Sequence, residues 1–195
     1  MNALKIILGA AFLVGIIVFL LGIFVAPEGF YVKRSATINA PAKTVFPYVS
    51  TLKAMDAWSP WSEKDPNMVN NYEGTDGTVG AVNSWTSDVE EVGVGSQTIT
   101  KIEPNKSIHT HLSFKKPHES ESDATIRLTE LDGQTKVTWG IRGSYGSIER
   151  LFMMFMDMEG AIGPDFQKGL DKLKTTVEQE NTIISSKDKM PASAN

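Results

Sequence analysis

The chain has 195 residues, 41% hydrophobic and 22% charged, a formal net charge of -4 and no cysteine. That length suffices for one well-buried core and is short for two. An acidic balance without a run of lysine or arginine excludes a nucleic-acid partner, whose phosphates need a clustered basic face, and the lack of cysteine excludes disulfides, thiolate nucleophiles and cysteine-ligated zinc.

The first element is Ile6 to Val25, IILGAAFLVGIIVFLLGIFV, uncharged for twenty residues. At ~1.5 Å per helical residue it matches a hydrocarbon core of ~30 Å, so an uncleaved transmembrane helix is expected. A cleaved signal peptide is the competing reading; the apolar run exceeds a typical signal core, and no small-x-small site precedes Pro27. The short head before Lys5 leaves little to translocate, which puts the N-terminus in the cytoplasm and the following domain outside it. From Ala26 to Tyr31 the tether reaches under about 20 Å at ~3.5 Å per residue. The domain is therefore expected to sit against the bilayer and to admit a lipid-like ligand through an apolar mouth.

From Phe30 the pattern changes to short alternating runs broken by Gly, Asn, Asp and Pro, the mark of antiparallel strands. YVKRSATIN is the first strand. APAKTVFPYVS opens a short helix, with Pro41 near its start, Val45 and Val49 on one face and Pro47 limiting its length. AMDAWSPWSEKDPN, Ala54 to Asn67, holds two tryptophans among prolines and is expected to be a loop. Six further strands follow at MVNNYE, AVNSWTS, SQTITKIE, SIHTHLSF, SDATIRLTEL and TKVTWGIRG, the last two joined at Asp132-Gly133, a hairpin signal. Period-two sorting puts Ile108, Thr110, Leu112 and Phe114 on one face, with Ala124, Ile126 and Leu128, and with Val137, Trp139 and Ile141. An apolar sheet face needs a cover. SIERLFMMFMDME supplies one helical piece, apolar all round at Leu151 to Met156 and so expected to be buried on more than one side. GPDFQKGLDKLKTTVEQE opens a second with Pro164 at its first position, and Phe166, Leu170, Leu173 and Val177 recur at helical spacing. The polar tail from Asn181 is expected to be disordered. The organisation read from this is an anchor and tether over 1–29, one domain over 30–180 and a tail over 181–195.

RSATINAPAKTVFPYV, WSPWSEKDPNM, YEGTDGTVGAVNSW, GVGSQTITKIEPNKSI and IGPDFQKGLDKL, in this order, resemble the membrane-anchored proteins labelled polyketide cyclase/dehydrase within the START-like (SRPBCC) superfamily. The resemblance covers residues 30 to 177. Its most specific part is Trp58, Trp61, Asp65 and Pro66 together with Gly163, Pro164, Asp165 and Phe166. It implies an α+β helix-grip fold, a curved antiparallel sheet around a long C-terminal helix with an apolar cavity between them. It carries over no catalytic set and no cofactor.

The leading expectation is a domain that binds a small apolar or lipid-like ligand, without intrinsic catalysis. The pocket should measure roughly 300 to 1,000 Å³ and be lined by Trp58, Trp61, Tyr72, Trp85, Phe114, Trp139, Phe155, Phe166 and Leu170. Trp58 and Trp61 either cap the core or wall the cavity mouth, their rings on the ligand and their N–H groups toward its polar end. A cyclase or dehydratase is the alternative, and it needs a titratable group with a displaced pKa inside the cavity. Tyr72, Asp123, Arg127, Arg142 and Asp157 are the thin candidates, and alternation sends Asp123 and Arg127 to the wet face. A sensor or protein-partner module is a third class. His109 and His111 share the solvent face of one strand and lack a third ligand, so no metal is expected. GTDGTVG lacks the lysine of a phosphate loop and reads as a turn.

Overall fold

The computed structural model describes residues 2–146 and 149–188. They form two compact units. One takes in the chain up to Phe30 together with Ser144–Asp157; the other takes in Tyr31–Gly143 together with the chain from Met158.

In the first unit, α1 (Asn2–Val25) is followed by the start of β1 (Gly29–Ile38), and α5 (Glu149–Met153) returns beside it. Phe30 stacks on Tyr145 with centroids 5.8 Å apart, the Tyr145 amide donates to Glu28 O at 2.9 Å, and Leu151 packs on Gly22. Among the described residues no helix is long and apolar enough to cross a membrane. This overturns the transmembrane anchor, and with it the single-pass placement, the extracytoplasmic domain and the bilayer-facing mouth. The LFMMFM segment also departs from expectation. Phe152, Met154, Phe155 and Met156 are exposed, because α5 stops at Met153 and the chain turns before its apolar ring can be covered.

The second unit is a seven-stranded antiparallel sheet in the order β1-β7-β6-β5-β4-β3-β2, with β2 at Val69–Glu73, β3 at Val82–Thr86, β4 at Val94–Glu103, β5 at Ser107–Lys116, β6 at Ser120–Leu131 and β7 at Gln134–Ser144. Asp132 and Gly133 take φ of 51° and 77°, the left-handed pair that a two-residue hairpin between β6 and β7 requires. The inward positions follow the period of two: Ile108, Ala124, Ile126, Leu128, Val137 and Ile141 are all buried. On this face lies α6 (Met158–Asp188), whose Phe166, Leu170, Leu173 and Val177 are 1%, 0%, 0% and 0% exposed. The helix begins six residues before Pro164, which lies within it. An early proline forfeits one backbone hydrogen bond, and the adjoining Gly163 leaves room for the Arg34 guanidinium, which is paired with Glu159. The helix also runs past Asn181 to Asp188, so the first part of the expected tail is helical; residues 189–195 lie outside the described residues.

Between β1 and β2 the chain makes α2 (Ala42–Val45), a 3-10 turn at Phe46–Tyr48, α3 (Leu52–Trp58) and α4 (Pro60–Lys64). The stretch expected to be a loop is thus two short helices, and its prolines mark their ends. Pro60 takes the first position of α4, where its missing N–H costs nothing, and Pro66 follows the last turn. Thr51 Oγ1 caps α3 by accepting from Ala54 N at 3.1 Å, and Asp76 accepts from the amides of Leu52 and Lys53 at 2.7 and 3.1 Å. Ion pairs from Lys64 to Asp165 and from Glu63 to Lys168 and Lys172 join α4 to α6.

Trp85 of β3 is in register with Gly95 of β4, which is in register with Phe114 of β5. The indole lies across the glycine and meets the Phe114 ring edge to face at 5.7 Å. A methyl group at Gly95 would stand 2.6 Å from the indole and 2.7 Å from the Ser113 carbonyl oxygen, a backbone atom that cannot rotate away. Gly95→Ala is therefore expected to destabilise the fold by about 1 to 3 kcal/mol, the usual cost of overpacking. Urea unfolding checks this, and an unchanged midpoint contradicts it.

Candidate functional site

The concave face of the sheet, α3, α4 and the first turns of α6 enclose a cavity of about 220 Å³, smaller than the sequence reading expected. It holds the volume of roughly seven waters at ~30 Å³ each. Helical spacing in α3 buries Met55 and Trp58 and points the intervening Asp56 toward β2 and β3. Ser59 ends α3 and starts α4, so that Trp61 follows Trp58 by three residues but rides on a separate helix. Both rings meet Trp139 edge to face, at 5.0 and 5.8 Å between centroids, and Trp61 meets Phe166 in the same way at 6.0 Å. Trp139 and Phe166 lie face to face, 3.9 Å apart and 4° from parallel. Aromatic pairs of this kind are worth about 0.5 to 1.5 kcal/mol each beyond their buried area. They make one wall of the cavity rigid.

The Trp58 indole N–H is taken by the protein and does not face a ligand. Trp58 Nε1 donates to Tyr48 O at 2.8 Å and Trp85 Nε1 to Val92 O at 3.1 Å, which leaves only their apolar faces to the cavity. Polarity is concentrated at the β2–β3 end. There Tyr72 donates its hydroxyl hydrogen to Asp56 Oδ2, and Asn83 Nδ2 donates to Asp56 Oδ2 at 3.3 Å and to Asn70 Oδ1 at 3.1 Å. Asp56, Asn70 and Asn83 all line the cavity. Burial raises the Asp56 pKa; the Tyr72 hydrogen bond opposes that and the nearby Asp76 charge adds to it. Burial and the Asp56 carboxylate push the Tyr72 hydroxyl upward as well, so the phenol stays a donor at ordinary pH.

Six of the nine expected lining residues surround the cavity: Trp58, Trp61, Trp85, Phe114, Trp139 and Phe166. Tyr72 stands behind the wall and acts through Asp56. Leu170 is one turn too far along α6 and is packed in the core. Phe155 belongs to the other unit and is 88% exposed, since the segment carrying it is not covered. Of the catalytic candidates, Asp123 faces outward and pairs with His111, Arg127 is exposed, and Arg142 lies over the Tyr31 ring. Asp157 falls in the first unit. His109 bonds Thr125 at 3.1 Å, and among the described residues no His, Asp and Glu group could hold a metal ion. The sequence reading missed Asp56, Asn70 and Asn83. One signal was available: Ala81, Asn83 and Trp85 alternate on one strand face, which sets a polar Asn83 among inward positions.

The family model described as "Polyketide cyclase / dehydrase and lipid transport" matches residues 30–178. This chain belongs to that family. No curated protein matches it. Solved structures of similar fold include a Nitrosospira multiformis protein (16% identity, TM-score 0.57, covering 78% of this chain and 99% of that one) and a Mesorhizobium loti protein (16%, 0.56, 77% and 98%). The Aha1 dimer from Colwellia psychrerythraea is also similar, at 16% identity and a TM-score of 0.53, covering 76% of this chain and 96% of that one. At such identities the likeness is one of fold: a curved antiparallel sheet with a long C-terminal helix, consistent with the helix grip of this family.

Because the folded state binds the Asp56 proton more tightly than the unfolded chain, stability falls as pH rises from the unfolded value of 3.8 through the higher folded pKa, then levels off. Asp56→Asn keeps an acceptor for Tyr72 and Asn83 and removes this loss. The variant should gain stability over the parent with rising pH across that window, read from urea midpoints between pH 4 and 8; parallel profiles contradict the assignment.

Proposed function

We propose that this protein binds a small apolar molecule in the cavity between the sheet and α6. The supporting observation is the wall itself: six aromatic rings surround a volume of about 220 Å³. Binding sites for small molecules are mostly apolar, with a few placed polar groups, and the cavity has Asp56, Asn70 and Asn83 at one end. Membership in a family described by both cyclase/dehydrase activity and lipid transport supports a hydrophobic ligand. A compact body suits the volume better than an extended chain.

One observation favours catalysis as a second reading. Asp56 is a carboxyl group in the cavity wall whose proton affinity is raised by burial, which is what a general acid or base acting beside a ligand carbonyl requires. On this reading Asp56 takes a proton from the carbon next to that carbonyl. Deuterium exchange into a bound polycarbonyl probe, abolished by Asp56→Asn, is its expected signature; equal exchange in parent and variant contradicts it.

Native mass spectrometry of the full chain, purified gently and compared after denaturing extraction, tests the binding reading. An adduct that is lost on denaturation is expected, and its mass gives the ligand class. A bare mass that persists after incubation with a lipid and metabolite extract contradicts binding. Trp61→Ala, which opens the aromatic wall, should weaken retention of the adduct by about two- to tenfold, the scale of one lost aromatic contact.

A further inference from the structure

We propose that the polar end of the cavity selects ligands carrying a hydrogen-bond donor, a hydroxyl group above all, on a compact apolar body, and that Asn83 Oδ1 receives that donor. This rests on the binding reading above and adds the chemistry of the head group.

Asn83 is 3% exposed and lines the cavity, and its Oδ1 has no hydrogen-bond partner among the described residues. Its amide nitrogen, by contrast, donates twice, to Asp56 Oδ2 and Asn70 Oδ1. Turning the amide over would set Oδ1 against those two acceptor oxygens, so the surrounding network fixes which end is which. Tyr72 spends its hydroxyl hydrogen on Asp56 Oδ2. Gln97 Nε2, on another lining amide, donates to Thr110 Oγ1 at 3.0 Å. The donors of Asn83, Tyr72 and Gln97 are thus directed at protein acceptors, and the buried oxygen left over on Asn83 is an acceptor.

An unmatched buried acceptor is costly, and a ligand that brings O–H to Asn83 removes that cost in the complex. A ligand ending in carboxylate brings only acceptors and a second negative charge beside Asp56. An ether of the same shape fills the apolar walls but leaves Asn83 unmatched. Selectivity by head group therefore follows from a site that rejects analogues lacking the matching hydrogen. The aromatic wall and small volume restrict the body to one or two fused rings or a short branched chain.

Equilibrium dialysis of the full chain against 2-naphthol, 2-methoxynaphthalene, naphthalene and 2-naphthoate at neutral pH tests this. The expected order is 2-naphthol tighter than both 2-methoxynaphthalene and naphthalene by about tenfold, the worth of one net hydrogen bond, with 2-naphthoate weakest. Asn83→Leu should bring the naphthol-to-ether ratio to about one while the ether still binds; if that variant does not fold, the parent's ratios decide alone. Equal affinity of the parent for 2-naphthol and 2-methoxynaphthalene, or tighter binding of 2-naphthoate, overturns the head-group assignment and leaves apolar binding intact. Failure of all four probes to bind overturns the binding reading and this inference with it.

Discussion

Trp139 of β7 and Phe166 of α6 lie face to face at 3.9 Å, and this contact sets how closely the helix approaches the sheet. Two flat rings in parallel contact cannot be compressed, so they act as a spacer where they meet. One turn further along, Gly169 has no side chain; a methyl group there would be 3.0 Å from Trp139 and 3.1 Å from Pro60, so helix, sheet and α4 converge on it. Beyond that point Leu170, Leu173 and Val177 seal the core against Val45, Val49 and Val137. On the other side of the spacer the helix no longer fills the concave face. The cavity is what remains there, enclosed by Trp58 and Trp61 on one flank and by Trp85 and Phe114 on the other.

The same arrangement explains why the tryptophan stretch is ordered. Two short helices of seven and five residues are too short to be stable alone. Thr51 and Asp76 cap the first, Lys64 and Glu63 pair the second with α6, and Trp58 and Trp61 plug both into the aromatic cluster. The Glu63 carboxyl, held down at about 2 by its two lysines, makes this clamp strongest above the unfolded value of 4.5 and lets it fade as acid approaches the folded one. Exposure and salt keep its weight small. The Tyr72, Asp56, Asn83 and Asn70 network also ties α3 to the edge of the sheet. A purely structural tie accounts for every hydrogen bond in it except the one Asn83 Oδ1 lacks.

Much of this architecture was legible in the residues because it rests on local periodicity. Alternation marked the seven strands, Asp132-Gly133 marked a hairpin, and Phe166, Leu170, Leu173 and Val177 marked the covering face of α6. Proline misled the reading twice. Pro60 and Pro66 suggested a loop where they delimit a helix, and Pro164 suggested a start where it lies inside one. The aromatic wall could be named because its residues are large and period two aims them. The polar end could not, because Asp56, Asn70 and Asn83 come from three elements, and only the sheet register and the docking of α3 bring them together. Burial around Phe155 failed for a related reason: an apolar run shows a demand for cover but not whether tertiary structure meets it. The apolar run before Val25 also misled, since a hydropathy pattern was read as a span that no described helix provides.

If the aromatic wall encloses a space that an apolar molecule enters, a heavy-atom probe of that shape will be found inside it. Anomalous diffraction from crystals of the full chain soaked with 6-bromo-2-naphthol tests it most directly, because bromine reports its own position. A single strong bromine peak is expected between Trp85, Phe114 and Trp139, with the hydroxyl end toward Asn83. A cavity closed by shifted tryptophan rings, or bromine found only on the outer surface, would contradict it.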